Sequence, residues 1–206
     1  MKIYSHYGYK DFIICLGYKS YIKERFANYF LHNSNVTIDL KNNKMEVHNS
    51  NSEDWKVTLV DTGDETMTRI KRIIEDYIKE DNFMMTYDGV SNVDINKLIE
   101  FHNINNNFAT LTAVQPESRF KLSFSDKVFD FEKKDNIQFI NGFMVLNKIV
   151  KYIDNYLTPL EKDPLEKLAK EKLSAFKHNF WFAMDTLKHK QDLEQMWNKD
   201  APWKLY

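Results

Sequence analysis

The chain has 206 residues, enough for one domain or two small ones, with 29 basic against 30 acidic side chains and a formal charge of −1. No basic block stands out, so there is no electrostatic footprint for nucleic acid, and no apolar run approaches the length of a membrane span. A single cysteine, Cys15, excludes a disulfide within the chain, and residues 1–8 lack the continuous apolar region of a signal peptide. A soluble protein of a reducing compartment, the cytoplasm, is expected.

The predicted elements alternate. Phe12 to Leu16 is an apolar strand bounded by Gly8 and Gly17, and Tyr21 to Phe30 reads as a short helix. Val36–Leu40 and Met45–His48 flank Lys41-Asn42-Asn43-Lys44, a hairpin signal with polar turn residues. Trp55 to Asp61 is a strand that exits through Thr62-Gly63-Asp64. From Arg69 to Lys79, Ile70, Ile73, Ile74, Tyr77 and Ile78 recur at helical spacing and predict an amphipathic helix.

A strand around Phe83 follows, then a helix with Ile95, Leu98, Ile99 and His102 on one face. Ser91 is its expected N-cap, with Asp94 in the acid position of a capping box. Ala109–Val114 is a further strand, and Phe120–Phe131 a hairpin around Ser125-Asp126. Ile140–Leu146 is another strand and Lys148–Tyr156 a short helix. Asp163-Pro164 opens a helix with Leu165, Leu168 and Ala169 on its buried stripe. Leu173–Phe182 leads to Asp185, and Leu187, Leu193 and Trp197 belong to a final helix. Strands alternating with helices predict an α/β fold of three layers on a largely parallel sheet, with hairpin excursions.

Two acids stand where a strand ends. Asp88-Gly89 closes the apolar run Phe83-Met84-Met85, and Asp185 closes Phe180-Trp181-Phe182-Ala183-Met184. In open α/β sheets, ligands bind beyond the carboxyl ends of the strands, so carboxylates there suit a magnesium-dependent phosphate site. Each Asp reads equally well as the N-cap of a following helix.

Thr62, Thr66, Thr68 and Arg69 leave one strand and enter a helix. A cation at a helix N-terminus is unfavourable unless an anion lies nearby. Glu132-Lys133 closes a strand and Asn141-Gly142 opens the next, though spacing alone reads Glu132-Lys133-Lys134-Asp135 as a solvated turn. The six histidines show no metal-ligand spacing; His102 is expected to be packed, Cys15 buried, and the tryptophans core or interface anchors. Only five glycines occur, where average usage of about 7% gives roughly fourteen, and no Gly-rich phosphate loop is present.

These segments resemble the glucose-1-phosphate cytidylyltransferase family of sugar nucleotidyltransferases. The likeness is carried by residues 1–8 (MKIYSHYG), 26–32 (FANYFLH), 57–63 (VTLVDTG), 88–94 (DGVSNVD), 112–116 (TAVQP), 164–169 (PLEKLA), 184–187 (MDTL) and 201–204 (APWK), in order from Met1 to Tyr206. It implies a three-layer Rossmann-like nucleotidyltransferase fold with a mixed, mostly parallel central sheet, a single domain over 1–206 that is incomplete at its N-terminus. It also implies cytidylyl transfer from CTP to α-D-glucose 1-phosphate, giving CDP-glucose and pyrophosphate for surface-polysaccharide synthesis. Asp88 and Asp185 match the carboxylates that bind Mg2+. Thr62, Thr68 and Arg69 match the nucleotide-recognising turn. Glu132, Lys133, Asn141 and Gly142 match the sugar-phosphate contacts. A cytoplasmic homo-oligomer is implied.

The sequence departs from the family pattern. Its Gly-Gly-x-Gly-Thr-Arg loop and Pro-Lys-Pro segment are absent from these 206 residues, and glycines are missing beside Asp88, Arg69 and Gly142. Little or no activity is therefore expected of this chain alone. The alternatives are a non-catalytic paralogue or oligomerisation partner that keeps the fold, and, less well matched, a nucleotide-sugar-binding module.

Overall fold

The structure of the protein is a computed structural model. It describes residues 1–16, 19–62, 70–80, 82–86, 89–114, 120–124, 128–133, 144–147, 149–154, 160 and 163–205, with side chains at all of these except 19–20, 120–133, 144 and 147. The turn residues Gln115-Pro116 and Ser125-Asp126, and the expected strand start at Ile140, lie outside the described residues. The chain divides into two compact units: Met1 with Gly8–Thr66, and Lys2–Tyr7 with Met67–Tyr206. The N-terminal helix α1 (Lys2–His6) thus belongs to the second unit.

In the first unit, β1 (Asp11–Leu16) and β4 (Lys56–Asp61) pair in parallel, with Phe12 opposite Val57 and Leu16 opposite Asp61. Between them in sequence come α2 (Lys19–Ala27), α3 (Tyr29–His32) and a hairpin of β2 (Ser34–Asp39) and β3 (Lys44–Ser50). The single expected helix is broken at Asn28, whose side-chain amide donates to the Glu24 carbonyl at 3.1 Å. That competition with the backbone is why Asn favours helix ends. The hairpin turn matches its sequence signal: the Asn42 amide donates to Asp39 Oδ1 at 3.1 Å, and Asn43 takes a left-handed φ of 49°. Trp55 packs edge-on against Phe12 at 5.8 Å. Cys15 is half-buried, and burial pushes its thiol pKa up, against a nucleophilic role.

The second unit holds α4 (Ile70–Tyr77), β5 (Asn82–Met85), β6 (Gly89–Ser91), α5 (Ile95–Asn105), β7 (Ala109–Ala113), β8 (Phe120–Phe124), β9 (Val128–Lys133) and β10 (Met144–Asn147). Within the expected helix Lys148–Tyr156, the described residues Ile149–Tyr152 form a 3-10 turn, and α6 (Asp163–Ala169), β11 (Leu173–Lys177), β12 (Trp181–Ala183) and α7 (Leu187–Lys199) follow. The main sheet has the order β11-β7-β10-β5. Strand β11 runs parallel to β7, while β10 is antiparallel to both its neighbours, so three of the four strands point the same way. The sheet is mixed, as the resemblance implies.

Alternation along β7 and β11 explains the three layers. Ala109, Leu111, Leu173 and Ala175 face one side and join Ile70 and Ile74 of α4 with Leu165 and Leu168 of α6. The residues between them serve α5 on the other side. There His102 Nδ1 lies 2.9 Å from Thr110 Oγ1, which lies 2.8 Å from Ser174 Oγ, and Phe101 meets Phe176 edge-on at 5.5 Å. All five residues of β7 are buried, as a strand covered on both faces must be. His102 is only 2% exposed, and burial pushes its pKa down, so it packs as a neutral ring. Among the described residues, no helix is long and apolar enough to cross a membrane.

The start of α5 corrects the sequence expectation. Ser91 is not its N-cap; the cap is Asp94, whose carboxylate accepts from the Lys97 amide at 3.1 Å. Gly89–Ser91 continue as strand, so the helix opens later than a cap at Ser91 would allow. Replacing an N-cap acid by alanine removes that acceptor, so Asp94→Ala is expected to cost about 1 kcal/mol in urea unfolding.

Candidate active site

The site is built on the short antiparallel ladder of β6 and β12, with Ser91 opposite Trp181, Val90 opposite Phe182 and Gly89 opposite Ala183. In sequence, Asp88 immediately precedes Gly89, and Asp185 follows Ala183 with Met184 between them. One end of the ladder therefore leads the chain to both acidic positions, because antiparallel strands meet a shared end in opposite directions. Asp88 itself lies outside the described residues.

Both helix starts in question are capped by other residues. Thr186 Oγ1 accepts from the His189 amide at 3.1 Å and caps α7, while Asp94 caps α5. Neither strand-end Asp is needed as an N-cap, which removes the capping alternative left open by the sequence. The Asp185 amide donates to His189 Nδ1 at 3.2 Å, and the same imidazole stands edge-on to Phe182 at 5.6 Å. Backbone and ring thus fix the approach to Asp185, whose residue is exposed.

Two further contacts hold the ladder. A Cβ at Gly89 would lie 2.3 Å from Trp181 Nε1 and 2.6 Å from its Cε2, so the indole occupies the space of any larger side chain. Ser91, fully buried, donates to the Phe180 carbonyl at 2.8 Å and accepts from the Val93 amide at 3.1 Å. His178 Nδ1 lies 3.2 Å from the same hydroxyl oxygen. Burial, partly offset by a backbone hydrogen bond at Phe180, holds His178 down to a pKa of about 4, so the ring is neutral near pH 7. Sequence reasoning misses these residues; the one local signal is a glycine directly after the acid at a strand edge. Beside the ladder, Val90, Met184, Leu193 and Trp197 line part of an open depression of about 440 Å³, with Lys190 and Glu194 paired at 3.6 Å.

The other expected site residues fall as follows. Thr62 ends the β1–β4 ladder, its amide donating to the Leu16 carbonyl at 3.1 Å, and it is 1% exposed. Thr68 and Arg69 lie outside the described residues, and α4 begins at Ile70, directly after Arg69. Glu132 and Lys133 end β9, in register with Lys121 and Phe120 of β8. Asn141 and Gly142 lie outside the described residues. Among the described residues, no three His, Cys, Asp or Glu side chains cluster to hold a metal.

No protein-family model matches the chain. Among solved structures, the crystal structure of HddC from Yersinia pseudotuberculosis shares the fold, with a TM-score of 0.70 over 95% of this chain and 82% of that one at 16% identity. Among curated proteins, the glucose-1-phosphate cytidylyltransferase of Salmonella typhimurium is 50% identical over 220 residues, covering 100% of this chain and 85% of its own length. The Salmonella typhi protein of the same name matches to the same extent. A probable glucose-1-phosphate cytidylyltransferase of Bacillus subtilis is 36% identical over the same shares. Fold and relatives together define a nucleotidyltransferase. More particularly, the chain belongs to the glucose-1-phosphate cytidylyltransferase family.

The tight ladder makes Gly89 sensitive to any added atom. Gly89→Ala forces the Trp181 indole to move and should cost about 2 kcal/mol, as overpacking does. In a Trp181→Leu background the same change should cost much less, measured by chemical denaturation. The buried histidine makes stability depend on pH. With His178 at about 4 in the fold and near 6.5 when unfolded, the unfolded chain binds the extra proton between those values, so stability falls as pH drops from about 6.5 towards 4. Thermal midpoints measured across that range should fall less steeply in His178→Gln than in the parent.

Proposed function

We propose that this chain carries a cytidylyl-transfer site in which Asp88 and Asp185 hold Mg2+. By the resemblance, Thr62, Thr68 and Arg69 are assigned to nucleotide recognition, and Glu132, Lys133, Asn141 and Gly142 to the sugar phosphate. The observation that carries the reading is the β6–β12 register, which leads the chain to both acids from one ladder end while other residues cap the helices. Relatives at 50% identity over the whole chain, named glucose-1-phosphate cytidylyltransferase, support the substrates CTP and glucose 1-phosphate.

Two carboxylates suit magnesium, which takes hard oxygen ligands, keeps several waters and completes its shell with substrate phosphate. When bound, the ion offsets the charge on the α-phosphate and on the departing pyrophosphate. The rest is positioning. A glucose 1-phosphate oxygen attacks the α-phosphorus in line, a phosphorus–oxygen bond forms, and the bond to the β-phosphate oxygen breaks. Arg69 supplies a fixed positive fork for phosphate oxygens, and Lys133 a point charge for the sugar phosphate. Glu132, Asn141 and Gly142 offer acceptors and amides for sugar hydroxyls.

These 206 residues contain no Gly-rich loop to wrap a triphosphate, so turnover by the chain alone is expected to be little or none. The same absence favours a second reading, a non-catalytic paralogue or oligomerisation partner that keeps the fold. The protein is proposed to work in the cytoplasm as a homo-oligomer, supplying CDP-glucose for polysaccharide synthesis.

Two assays separate the readings. Pyrophosphate release from CTP and glucose 1-phosphate should stay near background, while Mn2+ binding in the presence of CDP-glucose, followed by water-proton relaxation, should be measurable. Asp88→Ala and Asp185→Ala should each weaken that binding at least tenfold. Binding unchanged in both variants would sink the metal assignment, and brisk turnover by the parent would sink the expectation of an inactive chain. Folded protein that neither binds Mn2+ nor turns over favours the non-catalytic paralogue or a part of an enzyme that lacks some of its site.

A further inference from the structure

The chain leaves β12 at Ala183 and enters α7 at Leu187, so Asp185 stands on the link between them, beyond the last ladder pair. A hydrophobic staple does not fix that link. With Thr186 as N-cap, the two staple positions, directly before the cap and four residues after it, are held by Asp185 and Lys190. Leu187, the first helical residue, is 71% exposed.

His189 takes over that task. It is the third helical residue, the place from which the acid of a capping box reaches back to the N-cap amide. Its ring reaches one residue further. Nδ1 accepts from the Asp185 amide at 3.2 Å, while the His189 amide donates to Thr186 Oγ1 at 3.1 Å. The ring also stands edge-on to Phe182 at 5.6 Å, and Phe182 is paired with Val90 across the ladder. From Met184 to Lys190, His189 alone is half-buried and its neighbours are exposed. One imidazole thus touches the strand, the link and the helix.

The contact sets the tautomer. The amide brings the proton, so Nδ1 must present its lone pair and the ring proton sits on Nε2. It also limits the carboxylate, which hangs from the Cα next to the held amide. An exposed acid on an unfixed link would sample many directions, and giving these up on binding a cation costs entropy.

We infer that His189 is a positioning residue for the metal site, fixing the Asp185 backbone against the β6–β12 ladder so that its carboxylate is preorganised for the cation. The inference rests on the assignment of Asp185 as a metal ligand. It gives the acceptor and the ring separate tasks: Nδ1 holds the amide, whereas any aromatic ring could make the contact with Phe182.

Mn2+ binding to the full chain with CDP-glucose present, followed by water-proton relaxation, tests it on the parent, Asp185→Ala, His189→Phe and His189→Asn. His189→Phe keeps a ring against Phe182 and loses the acceptor. It should weaken binding about tenfold, as loss of an outer partner of a metal ligand does, with a urea midpoint close to the parent's. His189→Asn places a carbonyl oxygen as far along the side chain as Nδ1 and should bind Mn2+ as the parent does. A role in capping alone would lower the urea midpoint and leave the affinity unmoved. A further measurement needs no variant: at about pH 8, long-range proton–nitrogen correlation NMR on the histidine-labelled parent should find the His189 ring proton on Nε2. A ring proton on Nδ1 overturns the inference. So does a folded His189→Phe that binds as tightly as the parent while Asp185→Ala is weakened, or equal weakening in His189→Phe and His189→Asn. A folded parent that binds no Mn2+, or unchanged binding in Asp185→Ala, removes the metal assignment and the inference together.

Discussion

There is no room for a Cβ at position 89. The Trp181 indole fills the space a side chain would need, and this contact fixes how closely β6 and β12 approach. Because the pair is antiparallel, the end set by Gly89 and Ala183 is also the end from which the chain goes on to its two acids. A tryptophan here does what a hydrogen-bond ladder three residues long does weakly, which is to forbid sliding. Side chains alternate with a period of two, so a slip of one residue would turn each strand's outward face inward. The buried Ser91 adds a second lock by tying β6 to the Phe180 carbonyl just before β12.

The main sheet contributes rigidity by a different route. Its central strand β7 is buried on both faces, yet carries two threonines, Thr110 and Thr112. Thr110 is tolerable because its hydroxyl is linked to His102 on one side and Ser174 on the other. Such a chain of short contacts joins α5, β7 and β11 with directional bonds, while the opposite face relies on non-directional aliphatic packing against α4 and α6. One face specifies register and the other supplies bulk burial. Partial satisfaction of the polar chain would be worse than an apolar replacement, since each orphaned group costs its full desolvation.

Much of this is legible in the amino-acid order, for identifiable reasons. The continuous apolar run Phe12–Leu16, the spacing of Ile70, Ile73 and Ile74, and the Asn-rich hairpin turn are local signals, and the corresponding elements form. Residue type also discloses the packing of His102, because a lone histidine on an apolar stripe has no partner with which to do chemistry. What local pattern misses is decided by pairing. Ser91 is as good an N-cap as Asp94 by composition; pairing with β12, ninety residues away in sequence, draws it into a strand instead. Asn28 breaks the single helix expected over Tyr21–Phe30, by way of one side-chain hydrogen bond. The positions of both acids are visible in the sequence, but the register that brings their strands together is a tertiary fact and leaves no local mark.

Glycine content separates holding a ligand from turning it over. Five glycines serve a chain of this length, and Gly89 is already committed to admitting the Trp181 ring. Carboxylates bind a cation through side chains and need no glycine. Cradling a triphosphate requires backbone amides to reach within hydrogen-bonding distance of several oxygens, which side chains on the loop would obstruct. The two tasks therefore draw on different parts of the sequence and can be lost independently. Losing the cradle removes donors aimed at charge that develops in the transition state, and such donors matter more for rate than for ground-state affinity. If Asp88 and Asp185 hold the metal as proposed, residues with the acids and without the cradle should bind a metal–nucleotide-sugar complex far better than they form one.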